Sequence, residues 1–324
     1  MTELAKEQKI KNINIKDWFK IPEVLTFIGF LVLCLLLTLF TDRFLDVRNL
    51  INVARQISIN AIIAVGMTFV ILTSGIDLSV GSVMAIASTI MAAAMVDWGL
   101  NPLVAILMAL VIGAAFGLIS GTLISYAKMP SIIVTLAMME IPRGLALLYT
   151  GGYPLSGLPD SFSVLGRGYI FNIIPIPVLI MIIIYAIAYL LLNHLPFGRY
   201  IYAIGGNEEA ARLSGIKVSR YKIIAYVVSG ITAAASGIIL TSRLMSGQPN
   251  AGVGFELDAI AAVVLGGTDI NGGRGSIVGT IVGALIMGVL SNGLNLLGVS
   301  PYVQRVFKGL IIILAIYFSS KKEK

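Results

Sequence analysis

An all-α integral membrane protein of about ten spans is the fold class the sequence predicts, on three observations. Hydrophobic residues make up 57% of the 324 residues and charged residues 12%, against about 25% charged in a soluble domain. The mean hydropathy is +0.95. The apolar residues fall in runs of roughly 20, the length that crosses a hydrocarbon core. No polar block is long enough for a separate soluble domain. The expected organisation is a segment 1–22, one transmembrane domain 23–319 and a tail 320–324.

The elements follow in order. Lys6, Lys9, Lys11, Lys16 and Lys20 precede the run 23–41. That run is long for a signal-peptide core, and Thr41-Asp42-Arg43 is a poor cleavage site, so it reads as an uncleaved first span. Residues 44–56 read as an interfacial helix or a re-entrant approach to the second span. Further spans are expected at 56–74, 79–97, 102–126, 131–150, 173–192, 221–243, 257–270, 276–297 and 303–319. The second and third are separated by Gly75 to Leu78. The eighth is short and contains Gly266-Gly267.

An even span count puts both termini on one side. The N-terminal lysines, then Lys321, Lys322 and Lys324, assign that side to the cytoplasm. The loop 193–220 shares it, with Arg199, Arg212, Lys217 and Arg220. Arg43, Arg48 and Arg55 fall on the outer side, against the trend. The outer loop 151–172 is too short to be a substrate-binding domain.

The loop 193–220 interrupts an otherwise apolar chain and carries a helix marked at both ends. Asn207 is a good N-cap, Glu208 and Glu209 suit the first turn, and Gly215 suits the left-handed position after the last turn. A helix of about two turns is marginal alone in water, so it reads as a docking element for another protein.

Two segments look alike. Residues 60–83 read NAIIAVGMTFVILTSGIDLSVGSV and residues 258–277 read DAIAAVVLGGTDINGGRGSI. That pairing preserves orientation. Gly113, Gly117 and Gly121 form one three-glycine row and Gly275, Gly279 and Gly283 another, and pairing these inverts it, as in a five-plus-five inverted repeat. Each row lets a neighbouring helix approach closely, within the subunit or between subunits.

A charge inside the bilayer requires a reason. Asp77 lies between two spans, where it can cap the third by accepting from amides near Val80, or act at a gate with Ser79 and Ser82. Glu140 and Arg143 are spaced to pair on one helix face, around a kinking Pro142. Glu256 and Asp258 begin the eighth span and are expected at the outer interface. Asp269 and Arg274 flank a turn they can pair across. Asn60, Thr73, Asn292 and Asn295 complete the pathway candidates, and uncharged polar groups suit a neutral, hydroxyl-rich solute.

No catalytic constellation, phosphate-binding loop or metal cluster is written in the chain, and no cofactor is expected. His194 is the lone histidine and Cys34 the lone cysteine, so neither a metal centre nor a disulfide framework is expected. The basic balance of +7 sits at span ends and speaks for orientation rather than nucleic acid.

Four strings carry a resemblance: AVGMTFVILTSGIDLSVGS, GRYIYAIGGNEEAARLSGI, AGVGFELDAIAAVVLGGT and SNGLNLLGVSPY. Together, from about Phe44 to Tyr317, they resemble the membrane permeases of bacterial ABC importers for ribose and related simple sugars. The resemblance implies a multi-pass protein of the bacterial cell membrane that pairs with a second permease subunit. It also implies a cytoplasmic ATP-binding subunit, an extracytoplasmic sugar-binding protein and a lipid surround. Asn207, Glu208, Ala211, Arg212 and Gly215 match the family's ATPase-contacting loop. Family members usually carry apolar residues where Glu140 and Pro142 stand, so no role transfers to those two. The rival class is an ion-coupled secondary transporter working through Asp77 or the Glu140–Arg143 pair.

Overall fold

Backbone amides have no water to bond inside a bilayer, so a chain this apolar satisfies them in helices. The computed structural model describes residues 22–321. The five N-terminal lysines, Lys322 and Lys324 lie outside the described residues. The helices are α1 (Pro22–Phe40), α2 (Val47–Leu72), α3 (Val80–Val96), α4 (Pro102–Ser125), α5 (Ser131–Thr150), a single turn α6 (Val164–Arg167), α7 (Ile176–Asn193), α8 (Pro196–Gly206), α9 (Glu208–Leu213), α10 (Val218–Leu244), α11 (Phe255–Leu265), α12 (Ile277–Leu296) and α13 (Pro301–Lys321). Among the described residues, α2, α4, α5, α7, α10 and α12 are long and apolar enough to cross a membrane. Val24–Phe40 and Val80–Val96 are shorter apolar helices. Strand β1 (Leu155–Ser156) pairs antiparallel with β4 (Ser246–Gly247), and β2 (Tyr169–Ile170) with β3 (Ile174–Pro175).

Two elements differ from expectation. Residues 47–55 are the first turns of α2 itself, started by Asp46, whose carboxylate accepts from the Arg48 amide at 2.9 Å. The expected eighth span stops at Leu265. Eleven residues reach about 16 Å, half of a hydrocarbon core of about 30 Å, and the chain then turns at Gly266-Gly267.

The core is built around α2 and α10. Every residue from Ala61 to Leu72 is buried, enclosed by α10, α11 and α12. Close approach is bought with glycine. Gly113, Gly117 and Gly121 of α4 lie against Gly230, Tyr226 and Ile223 of α10, and a Cβ on Gly117 would strike the Tyr226 carbonyl. Gly279 and Gly283 of α12 lie against the Gly266 and Ala262 carbonyls, while Gly275 sits in the turn before α12, against Thr268.

The two look-alike segments meet, and they run in the same direction. Asn60 of the first touches Asp258 of the second. Further along both segments, the Gly273 amide donates to the Leu72 carbonyl at 3.1 Å.

Candidate functional site

The break between α2 and α3 is a hydrogen-bonded turn. Thr73 Oγ1 donates back to the Val70 carbonyl, and Ser74 takes a left-handed φ of 60°. Asp77 is 2% exposed. Its Oδ1 accepts from the amide and hydroxyl of Ser79 at 3.0 and 2.6 Å, and its Oδ2 from the Ser229 hydroxyl of α10 at 2.7 Å. The amide it caps is that of Ser79, not one near Val80, because an Asx turn closes two residues on. Both oxygens are engaged within the chain. Ser82 lies one turn into α3, buried, with its hydroxyl unpartnered.

A second break faces this one. From β4 the chain runs beside α3, with Gly247 against Ser88 and Ala92 and Gly252 against the Gly81 carbonyl. Non-helical backbone at membrane depth needs partners for its carbonyls. Arg143 supplies them, donating from Nη1 to the Pro249 and Ala251 carbonyls, both at 2.7 Å. The expected Glu140–Arg143 pair does not form. Glu140 is exposed, and the unsatisfied carbonyls outcompete it for the guanidinium. Arg143→Leu orphans two partly buried carbonyls at up to about 1–3 kcal/mol each. The thermal midpoint of the detergent-purified protein should fall, and Arg143→Lys should recover part of the loss.

The segment delivers α11 with its N-terminus halfway along α2. Asp258 is therefore not at the outer interface but 7% exposed. It pairs with Lys308 of α13 at 2.7 Å and lies 3.5 Å from Asn60 Nδ2. Asn60 Oδ1 is buried without a partner. Glu256, also in the first turn of α11, accepts from the Gly254 amide and interacts electrostatically with Arg143. Two acids and two bases thus surround one half-helix terminus. Lys308 went unflagged in the sequence, although the rule that singled out Asp77 applies equally to a lysine eight residues into a span. Asp269 and Arg274 bond through backbone, and the Asp269 carboxylate caps the Asn271 amide instead.

Asn292 and Asn295 belong elsewhere. Asn292 and Asn49 exchange amide hydrogen bonds of 2.8 and 3.1 Å, tying α12 to α2. Asn295 accepts from Gln304, closing the α12–α13 turn. An amide side chain stabilises a helix contact by meeting another amide, and half-buried Asn292 and exposed Asn295 are both spent that way.

The capped helix has the expected ends. Asn207 Oδ1 accepts from the Ala210 amide at 2.9 Å. Gly215, at φ 83°, lets the Ile216 amide reach the Ala211 carbonyl at 3.1 Å, a Schellman closure. Glu208 bonds Lys222 of α10 at 2.5 Å, and Glu209 bonds Arg212 at 2.5 Å. That second bond holds the Glu209 carboxyl below the usual carboxylate range. Ala211 is a correction. It is buried against Ile204 and Val218 because the helix must dock one face on its own subunit, and so it is not free to contact another. The exposed apolar residue is Leu213, 77% accessible on a polar surface. It went unflagged because one leucine in a charged helix carries no periodic signal.

The α2–α3 break, the turn after α11 and the capped helix converge. Ser74 Oγ donates to the Asn271 carbonyl at 2.6 Å and is 3.2 Å from the Gly205 carbonyl at the end of α8. A Cβ on Gly205 would overlap both the Leu72 carbonyl and the Gly273 amide. The last turn of α8, which leads directly into α9, therefore sits on the point where the two look-alike segments join.

Residues 49–316 match the profile of a family described as branched-chain amino acid transport system / permease component. The ribose import permease protein RbsC of Bacillus subtilis is 51% identical over 91% of this chain and 92% of its own length. That of Escherichia coli K12 is 48% identical over 95% and 96%. The L-arabinose transport system permease protein AraH of Escherichia coli K12 is 40% identical over 91% and 89%. No solved structure matches. With the helical architecture, the apolar spans and a match over most of its length, this chain belongs to the branched-chain amino acid transport system / permease component family, as a multi-pass membrane permease and not an enzyme.

Proposed function

We propose that this chain is the membrane-spanning subunit of an ATP-driven importer of ribose or a closely related simple sugar. Two copies cross the membrane ten times each, with both termini in the cytoplasm. A separate cytoplasmic ATP-binding subunit docks on α9, and an extracytoplasmic sugar-binding protein delivers the substrate. The observation that carries the reading is the seat of α8 and α9 on the Ser74–Asn271–Gly205 junction. A push on α9 reaches the α2–α3 break and the turn after α11 without passing through a flexible linker. Leu213, Glu209 and Arg212 are the exposed contacts for the ATP-binding partner, and Asn207 and Gly215 hold their helix in shape.

The substrate class rests on the named relatives and on charge balance. Arg143 and Lys308 stand against Glu256 and Asp258, a charge balance at the start of α11 that sums to zero and suits an uncharged polyol. The ion-coupled reading loses support because Asp77, its best carboxylate, accepts three hydrogen bonds from its own chain. Alternating access then requires that the ATP-bound partner contact α9 differently in the two states.

The test is solute-stimulated ATP hydrolysis in proteoliposomes holding this chain, its ATP-binding subunit and its binding protein. Ribose should stimulate, leucine should not, and replacing residues 207–214 with Gly-Ser should abolish the response. Stimulation by leucine alone would move the substrate to branched-chain amino acids. Uptake by this chain alone on an ion gradient would overturn the ATP-driven reading.

A further inference from the structure

Beside the junction lies a cavity of about 260 Å³ whose lining includes Ser125, Lys128, Ser131, Glu208, Ser219 and Lys222. Two helices begin at it. α5 starts after Pro130 with no side-chain cap, and α10 starts after Lys217 with none. Neither has an acid in its first turn. The leading amides of a helix have no intrahelical acceptor, and they carry the positive end of its dipole. Both uncapped termini therefore favour an anion, and Lys128 and Lys222 against Glu208 leave the lining one net positive charge.

The lining holds one acid, Glu208, and it is already spent on Lys222 at 2.5 Å. A second, independent feature is Ser125. It is 4% exposed, lines the cavity, and its hydroxyl has no hydrogen-bond partner. A buried orphan hydroxyl is unfavourable until a ligand bonds it. Amide donors, ammonium groups and a free hydroxyl make up the donor set that phosphate oxygens accept from. Ser219 offers a further hydroxyl for a polyhydroxylated body.

We propose that this cavity binds a small phosphate monoester of a polyol, which draws Lys222 away from Glu208. Losing that bond leaves α9 held to α10 by the Ala211–Val218 packing alone and weakens the docking helix. The matching reaction class is ATP-dependent phosphorylation of the imported polyol, whose product would restrain its own supply. The restraint rests on the importer reading, whereas the binding does not.

The experiment is phosphorus NMR and calorimetric titration on the purified full chain in nanodiscs, with no partner subunit. Ribose 5-phosphate, inorganic phosphate and ribose are the probes. Expected are saturable binding of ribose 5-phosphate, weaker binding of inorganic phosphate and none of ribose. Lys128→Gln should weaken binding at least tenfold, and Ser125→Ala should weaken it severalfold. Glu208→Gln should tighten it, because the internal competitor for Lys222 is gone. That gain separates a site from a fold defect, since a damaged protein binds nothing more tightly. No saturable binding at millimolar ribose 5-phosphate overturns the proposal. So does binding that is indifferent to Lys128→Gln and Glu208→Gln, and so does equal affinity for inorganic phosphate and ribose 5-phosphate. The result stands or falls apart from transport, because neither ATP hydrolysis nor uptake is read.

Discussion

Asp258→Leu should abolish uptake and sharply lower the thermal midpoint, while Asp258→Leu combined with Lys308→Leu should restore the midpoint. The single change strands the Lys308 ammonium beside the middle of α2. An unpaired charge at that depth costs roughly 2.5–3.5 kcal/mol on insertion scales, and breaking a buried pair costs about 3–5 kcal/mol in water-soluble hosts. Removing both charges removes the penalty. The swapped pair, Asp258→Lys with Lys308→Asp, should fold less well than the double leucine. It would put an ammonium at the positive end of α11, where an acid now stands. Thermal midpoints of the four variants check the ordering, and a tolerated Asp258→Leu would refute it. Uptake should stay low in the double leucine variant, because the polar lining around Asn60 is gone. Recovered uptake would reduce the pair to a tie that holds α11 in place.

Gly205→Val should uncouple the permease while leaving its partner bound. A side chain there collides with the Leu72 carbonyl and the Gly273 amide, lifting α8 off the junction. The exposed face of α9 is untouched, so the ATP-binding subunit should still co-purify. Substrate stimulation of hydrolysis should drop tenfold or more, which corresponds to about 1.4 kcal/mol of lost coupling. Its neighbour is the control. A Cβ on Gly206 meets nothing within 4 Å, and Gly206→Ala should behave as the parent. Equal behaviour of the two variants would mean that the thrust travels by α7 and α10 instead.

Much of the fold was legible because span length and polarity are local. Runs of leucine, isoleucine and valine marked α4, α7 and α12 within a few residues, and Asn207 with Gly215 marked both ends of α9. The misreadings share a cause. Arg48 and Arg55 interrupted the hydropathy of α2, so its first turns looked like a separate piece. The stretch 246–254 has loop composition and sits at membrane depth, because Arg143 supplies its carbonyls with donors. Carbonyl acceptors have no side-chain signature, so the nearer Glu140 looked like the partner. Asn292 and Asn295 were polar residues in an apolar run, and whether such a residue faces a path or another helix is decided by a partner some 240 positions away in one case and nine in the other. The match between residues 60–83 and 258–277 did correspond to something spatial, a parallel meeting of the two segments.

The burial of α2 has a consequence for biogenesis. Between Ala61 and Leu72 this helix is enclosed by α10, α11 and α12, all of which are translated late. At roughly 5–20 residues per second, the some 150 residues between α2 and α10 take about 8–30 s to synthesise. For that interval Asn60 and the small-residue faces of α2 stand in the nascent bilayer without their permanent neighbours. Burial of α2 is therefore completed only after the second half of the chain is made. Truncation before α10 should leave α2 as the point at which the quality-control proteases first cut.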